Sequence, residues 1–283
     1  MIILFLSFLL SFNPIQNDTS RFDLYETALA NLDNSKIENL ETAIVLFDSL
    51  SVDPPDLVND KMFEAFQDYY YKTIRYINSN NIIDESIIYE YDDMYNNPYS
   101  DSLTTIFNKY GIDIFSTEGS FYADQMVGYL SKTFSDKLTD AYDEYLKRRA
   151  NEMRRAFSED AILLVSFSTV ANRMFFWEAF LEKYPDSHIS SSARFYYEHY
   201  LGTLLTGTDN SRIYDWETDK IRDDIVDLYE KMISQYPDRN STQILSSYLE
   251  VIKQNEFIFN ENVREYIKTN NLPSMLAVQP ISR

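Results

Sequence analysis

The chain has 283 residues, no cysteine, 45 acidic against 25 basic side chains, and a formal net charge of −20. Lack of cysteine excludes disulfides, thiolate metal sites and cysteine nucleophiles, and the negative charge repels phosphate backbones and anionic lipid surfaces, so nucleic acid is not an expected partner. With 45% apolar and 16% aromatic residues but only 5 glycines and 8 prolines, the chain has ample surface to bury and too few turn formers for a β-sandwich or barrel, which favours long helices.

The first twelve residues, MIILFLSFLLSF, are apolar or small, and the first positive charge is Arg21. That stretch is shorter than the roughly 20 residues of a membrane-crossing helix. It reads as the apolar core of a signal peptide over residues 1–16, without the usual basic leader or small-x-small cleavage site. The expectation is export to the periplasm or medium of a bacterium. No transmembrane segment is expected in the mature chain, because no later stretch is apolar for long enough.

From Arg21 onward, apolar residues recur at helical spacing. ETALANL and LETAIVLFDSL predict two helices that stop before the DPP of residues 53–55. In DLVNDKMFEAFQDYYYKTIRYI, the residues Leu57, Met62, Phe63, Phe66, Tyr70, Ile74 and Ile77 fall on one helix face. DESIIYEYDDMY, capped by Asp84, and SDSLTTIFNKY, closed by Gly111, complete an N-terminal helical region over 17–110. GIDIFSTEGSFYAD then alternates apolar and polar residues about STEG. It predicts one small β-hairpin within 111–124, with Ile112, Ile114 and Phe121 on strand faces and Gly119 in the turn.

Helices resume over 125–270, and residues 271–283 read as an extended tail. QMVGYLSK comes first, followed by a helix opened by Ser135 and Thr139. Its acidic start and basic end (Lys147, Arg148, Arg149, Arg154, Arg155) complement the helix dipole. Residues 160–184 predict a helix ending in FWEAFLEKY. Pro185 cannot continue it, PDS turns the chain, and Ser187 or Ser190 caps SSARFYYEHYLGTLL. The same grammar returns 52 residues later as DIVDLYEKMISQY, PDR and STQILSSYLEVIKQ around Pro237. Trp177 and Tyr229 stand eight residues before the two prolines, Tyr196 and Tyr248 eleven after. Two matched helix–turn–helix units predict stacked hairpins, neither of which buries its apolar face alone.

WEAFLEKYPDSHISSSARFYYEHYLG resembles the tetratricopeptide-type repeats of bacterial envelope proteins, such as the outer-membrane-assembly lipoproteins and the cell-division coordinator of the Tol–Pal system. Trp177, Phe180, Leu181, Tyr184, Pro185, Ser187 and Ala193 carry the likeness, which extends over residues 160–256. The second copy has Arg239 and Leu245 where Ser and Ala are expected. The polar insert TGTDNSRIYDWETDK lengthens the interval beyond the usual period of about 34. The resemblance implies an irregular array of helical hairpins and says little about function. The expected fold is all-α, stacked tetratricopeptide-like hairpins with one small β-hairpin near 112–123.

Chemistry has few carriers. His188 and His199 lack any metalloprotease spacing and read as a turn residue and a packed helix face. Five scattered glycines form neither a phosphate loop nor a dinucleotide fingerprint. Asp84, Glu85, Glu90, Asp92 and Asp93, like Asp209 and Asp215, miss the glycine and terminal glutamate of a calcium loop, and read as solvated acidic faces. No cofactor or metal ion is expected. Glu118 and Glu178 are the candidate carboxylates for an alternative reading, a glycan-active hydrolase or lyase, or a glycan-binding protein.

The aromatic load of 23 tyrosines and 19 phenylalanines is the most informative feature. Tyr69, Tyr70 and Tyr71 are consecutive and cannot share a helix face. Tyr70 fits the buried stripe, so Tyr69 and Tyr71 are expected to turn away. Tyr196, matched by Tyr248, is expected in the core and Tyr197 outside it. Tyr69, Tyr71 and Tyr197 are therefore the candidate contacts for a protein or peptide partner, since such rings give contact area at low entropic cost. The expected function is that of an exported, non-catalytic helical-repeat protein mediating protein or peptide binding in the cell envelope.

Overall fold

In the computed structural model, which describes residues 18–80, 82–83, 98–117 and 120–276, the chain is all-α. Eleven α-helices and three two-stranded antiparallel sheets are present among the described residues. The chain divides into two compact units, Met1–Ala150 and Asn151–Arg283.

The first unit contains α1 (Asp18–Ala30), α2 (Asn39–Leu50), α3 (Leu57–Ser79), α4 (Pro98–Lys109), the hairpin β1 (Ile112–Thr117) and β2 (Ser120–Gln125), and α5 (Tyr129–Phe134). Most of α6 (Asp140–Met153) also belongs to it. Asp56 starts α3, accepting hydrogen bonds from the Val58 and Asn59 amides, as a good N-cap does. Arg21 bonds the Asp56 carboxylate, the Leu50 carbonyl at 3.2 Å and Asn59 Oδ1 at 3.3 Å, which ties α1 to the α2–α3 connection. Phe47, Phe63, Phe66, Phe134 and Tyr142 form the aromatic core.

Because α3 packs against α1, α2 and β2, it is covered on several sides. Tyr69 is consequently only 5% exposed and Tyr70 fully buried. The expectation that Tyr69 turns away from the core is thus corrected. A single apolar stripe describes a helix with one covered flank, and α3 has more. Tyr71 is half-buried and donates to Gln125 Oε1 at 2.6 Å.

The hairpin predicted from alternation is present, in a register running from Ile112 opposite Gln125 to Thr117 opposite Ser120. Gly111 turns α4 directly into it with φ of 76°, and a Cβ there would lie 2.1 Å from the Tyr129 ring. Ser135 does not open α6. It sits in a 3₁₀ turn over Ser135–Lys137, and α6 begins after Thr139. The buried Asp60 carboxylate accepts from Thr139 N at 2.9 Å and Thr139 Oγ1 at 2.7 Å, holding that helix start. The expected signal peptide, the helix over 84–95 and the turn residues Glu118 and Gly119 lie outside the described residues.

The second unit contains β3 (Ser158–Glu159), β4 (Ile162–Leu163), α7 (Phe167–Lys183), α8 (Ser190–Thr206), β5 (Gly207–Thr208) and β6 (Ser211–Arg212). Helices α9 (Asp223–Gln235), α10 (Asn240–Gln254) and α11 (Glu261–Thr269) complete it. The two proline turns are built alike. Tyr184 (φ −128°, ψ 57°) and Tyr236 (φ −135°, ψ 56°) end α7 and α9 in one bent conformation. The Ser190 hydroxyl donates to the Tyr184 carbonyl at 2.5 Å, and the Thr242 hydroxyl donates to the Tyr236 carbonyl. Trp177 and Tyr229 are fully buried before the turns, and Ala193 and Leu245 fill equivalent buried places after them.

Two hydroxyls join the hairpins. Tyr229 donates to the Leu204 carbonyl, and Tyr248 to the Leu205 carbonyl at 2.7 Å. These carbonyls lie in the last turn of α8, where no intrahelical donor exists. Glu178 on α7 accepts from Ser241 N at 2.8 Å and Ser241 Oγ at 2.7 Å, and so holds the start of α10. Beyond Leu272 the chain returns to α8, with Met275 N donating to Thr206 Oγ1 at 3.0 Å.

Two departures from the sequence expectation stand out. Residues 160–166 form part of a hairpin and its exit rather than helix, and α7 starts at Phe167 with Ser166 as its cap. The β3–β4 and β5–β6 ladders are additional to the predicted hairpin. Strands of two residues carry no alternation to read. No described helix is long and apolar enough to cross a membrane.

Removing either joining hydroxyl leaves a buried carbonyl unsatisfied. Tyr229→Phe and Tyr248→Phe should each lower the urea-denaturation stability by about 1–3 kcal/mol. The exposed control Tyr236→Phe should stay within about 0.5 kcal/mol of the parent. Burial also raises the phenols of Tyr69 and Tyr200 to about 12, above the value near 10 of the unfolded chain. Stability from keeping them neutral is complete below pH 10 and is lost as pH rises through 12. Tyrosinate absorbance and helical circular dichroism should therefore change together in that window, with the exposed tyrosines ionising earlier.

Candidate functional site

The polar insert of residues 206–220 separates the two hairpins, and it builds a cleft. Gly207 leaves α8 with φ of 73° and ψ of −165°, a region nearly confined to glycine. A Cβ there would lie 2.3 Å from the Ser211 carbonyl, so only glycine lets β5–β6 turn straight off the helix. The tip of this hairpin docks on that of β3–β4. Asn210 N donates to the Ala161 carbonyl at 3.2 Å, Asn210 Nδ2 to the Asp160 carbonyl at 2.7 Å, and Leu163 N to Ser211 Oγ at 3.0 Å. Asp160 and Ala161 turn with φ of 46° and 57°, a left-handed conformation that costs non-glycine residues energy.

After β6 the chain bends at Ile213, bridges to Ile221 at Tyr214, and turns over residues 216–218 next to Asp215. The Asp215 Oδ1 atom accepts from Glu217 N at 3.1 Å, Thr218 N at 3.0 Å and Thr218 Oγ1 at 2.8 Å. These bonds hold its carboxyl below the usual range, the Thr218 side chain contributing most. The returning strand is tied to the segment after α10, with Ile221 N donating to the Phe257 carbonyl at 2.7 Å and Phe259 N to the Asp219 carbonyl at 2.8 Å.

The result is an open cleft of about 440 Å³. Leu163, Val165 and Phe167 line it from the β4–α7 connection. Arg212, Tyr214, Asp215, Trp216 and Arg222 line it from the insert and its exit. Trp216 is 61% exposed, and Ile162 and Leu164 on the neighbouring segment are also exposed. The Arg212 guanidinium lies 3.5 Å over the Trp216 ring and 5.3 Å over that of Tyr214. It donates through Nη1 to the Tyr214 hydroxyl at 2.7 Å and through Nε to the Asp209 carbonyl at 3.3 Å. Tyr214 stacks on Phe259 at 4.5 Å and 11°, and Arg264 lies 4.5 Å over Phe259. The layers Trp216, Arg212, Tyr214, Phe259 and Arg264 thus form one continuous stack, in which each cation–π contact contributes about 0.5–2 kcal/mol. Arg222 holds Asp224 through two bonds of 3.0 and 2.6 Å and bonds the Arg212 carbonyl at 3.3 Å.

The residues proposed from sequence do not gather here. Tyr69 is core, and Tyr71 diverges from it on α3. Tyr197, in the other unit, is half-buried, and its hydroxyl accepts from Asn240 Nδ2 at 3.4 Å. Burial, followed by the charge of Glu178, raises its phenol to about 12. His188 is exposed at the proline turn, and His199 lies among Phe157, Phe195 and Tyr200. Glu178 is buried with both oxygens engaged by Ser241. Another buried carboxylate, Glu152, accepts from Trp177 Nε1 at 3.1 Å and the Tyr200 hydroxyl at 2.9 Å. Among the described residues no three His, Asp or Glu side chains group to hold a metal ion.

Sequence reasoning passed over Arg212, Tyr214 and Trp216 because they sit in a polar stretch. A signal existed. RIYDW alternates with period two, which sets Arg212 and Tyr214 opposite the fully buried Ile213, with Trp216 following at the start of the turn. Comparison of the chain with protein-family models, with curated proteins and with solved structures finds no match.

The cleft depends on Gly207. Gly207→Ala should cost about 1–3 kcal/mol from backbone strain alone, read by denaturation. It should also change the Trp216 emission, because the β5–β6 ladder that carries Arg212 cannot close. A parent-like melt and spectrum would show that the hairpin tolerates the methyl group.

Proposed function

We propose that the chain is an exported, non-catalytic helical-repeat protein of the bacterial cell envelope, and that its cleft takes an extended segment of a protein partner. The exposed Trp216, braced by Arg212 against Tyr214, carries the reading. Trp, Tyr and Arg are the residue types that dominate binding energy at protein interfaces. Stacking fixes these side chains before a partner arrives, so little conformational freedom remains to be lost on binding. The volume of about 440 Å³ falls among ordinary ligand sites and suits a few consecutive side chains. The matched proline turns support the helical-repeat part of the reading, and the apolar opening of the chain supports export.

Capture of partners from the native envelope fraction on the immobilised chain tests it. A protein retained by the parent should bind Trp216→Ala at least about 30-fold more weakly, while Tyr71→Ala retains it. Trp216→Ala gives up its contact with Arg212 and Tyr71→Ala its bond to Gln125, so each should lose about 0.5–2 kcal/mol of stability and stay folded during capture. A partner held equally by Trp216→Ala would place the interaction elsewhere on the chain.

A further inference from the structure

Arg212 stands in an unusual position for a cation in a chain of net charge −20. Arg21, Arg222 and Arg239 each reach a carboxylate, those of Asp56, Asp224 and Glu182. The bonds that Arg212 makes among the described residues go to a carbonyl and a phenol, not to a carboxylate. Its Nε and one Nη1 hydrogen are committed to Asp209 and Tyr214, and its plane is fixed by Trp216 at 3.5 Å. What remains is the outer end of the fork, Nη2 and the second Nη1 hydrogen. A carboxylate fits that end through two parallel hydrogen bonds.

The surroundings favour an anion at this point. The cleft lining carries Arg212, Arg222 and Asp215, and with Arg222 paired to Asp224 it is close to neutral where the chain as a whole carries −20. The Oδ1 atom of Asp215 is already spent on its own turn. With Arg222 already paired, the one open fork of Arg212 suits a monoanion better than a dianionic phosphate. Leu163, Val165 and Phe167 line the same cleft and offer an apolar seat beside the charge.

We infer that the cleft recognises an acidic side chain, Asp or Glu, in an extended peptide segment, with Arg212 pairing the carboxylate and an adjacent apolar side chain resting on Leu163, Val165 and Phe167. This inference rests on the cleft being a peptide site, and it adds the chemistry of the peptide.

The test begins with selection from a random peptide library displayed on phage, using the full chain as bait. Selected peptides are synthesised, and their affinities are read from the emission of Trp216, with Trp177 remaining buried. They should share an Asp or Glu beside an apolar residue. Exchanging that acid for its amide should weaken binding about tenfold or more, and Arg212→Gln should do the same. In Arg212→Gln the acid-to-amide exchange should then have little further effect, as expected of a pair in a double-mutant cycle. Arg212→Lys keeps the charge without the fork and should fall between the two. It also serves as the working variant if Arg212→Gln melts early.

Peptides that require Trp216 but share a neutral or basic consensus would overturn the acidic pairing and leave the peptide site standing. So would an acid-to-amide effect that persists undiminished in Arg212→Gln. A phosphoserine peptide bound more tightly than its glutamate counterpart would overturn the choice of carboxylate. If no peptide selected depends on Trp216, or if a glycan array probed with the chain gives binding that Trp216→Ala abolishes, both the inference and the peptide site fall.

Discussion

Two tyrosine hydroxyls determine where α8 can end. The last carbonyls of a helix have no partner within it, and an unpaired carbonyl in the core costs as much as a lost hydrogen bond. Leu204 and Leu205 are fully buried, so α8 can stop at this depth only because Tyr229 and Tyr248 supply donors from the next hairpin. The dependence is mutual. Those phenols are themselves completely buried, and their hydroxyls need an acceptor as much as the carbonyls need a donor. The two hairpins therefore complete each other, as neighbouring units in repeat folds do. Everything downstream of the helix end follows: the turn at Gly207, the short hairpin after it, and the loop that carries the stacked arginine and tryptophan.

A chain with so many carboxylates also places some of them inside, and several are held by amides and hydroxyls. Asp60 and Glu178 each hold the first turn of a distant helix, through a backbone amide and a hydroxyl. Glu152 is held by an indole and a phenol. A helix start offers unpaired amides and the positive end of the dipole, so a buried acid there is satisfied at both oxygens. Arg173 lies buried along the end of α6, donating to the Glu152 and Arg155 carbonyls, and Arg212 braces the cleft.

How much of this could be read in the residues depended on pattern length. The proline turns were legible because two copies of one grammar, spaced by 52 residues, confirmed each other. The longer hairpin was legible because six residues per strand give a visible alternation. Tyr69 was misplaced because periodicity reveals that a helix has an apolar face but not how many neighbours surround it. Residues 160–166 were read as helix because apolar AILLV fits either period. The cleft was missed for a related reason. Its defining alternation, RIYDW, is five residues long and embedded in a stretch whose composition signals only a loop.

The insert has one more property. It leaves a helix end pinned by Tyr229 and Tyr248 and returns to a strand pinned at Phe257 and Phe259. Both anchors belong to the scaffold, and the segment between them contributes little to the joint that unites the hairpins. Mutation can therefore reshape the loop while selection on folding acts elsewhere, because loops anchored at both ends tolerate change in sequence and length at small thermodynamic cost. In descendants of this chain the helices should drift slowly and the exposed positions of the loop, Trp216 among them, quickly.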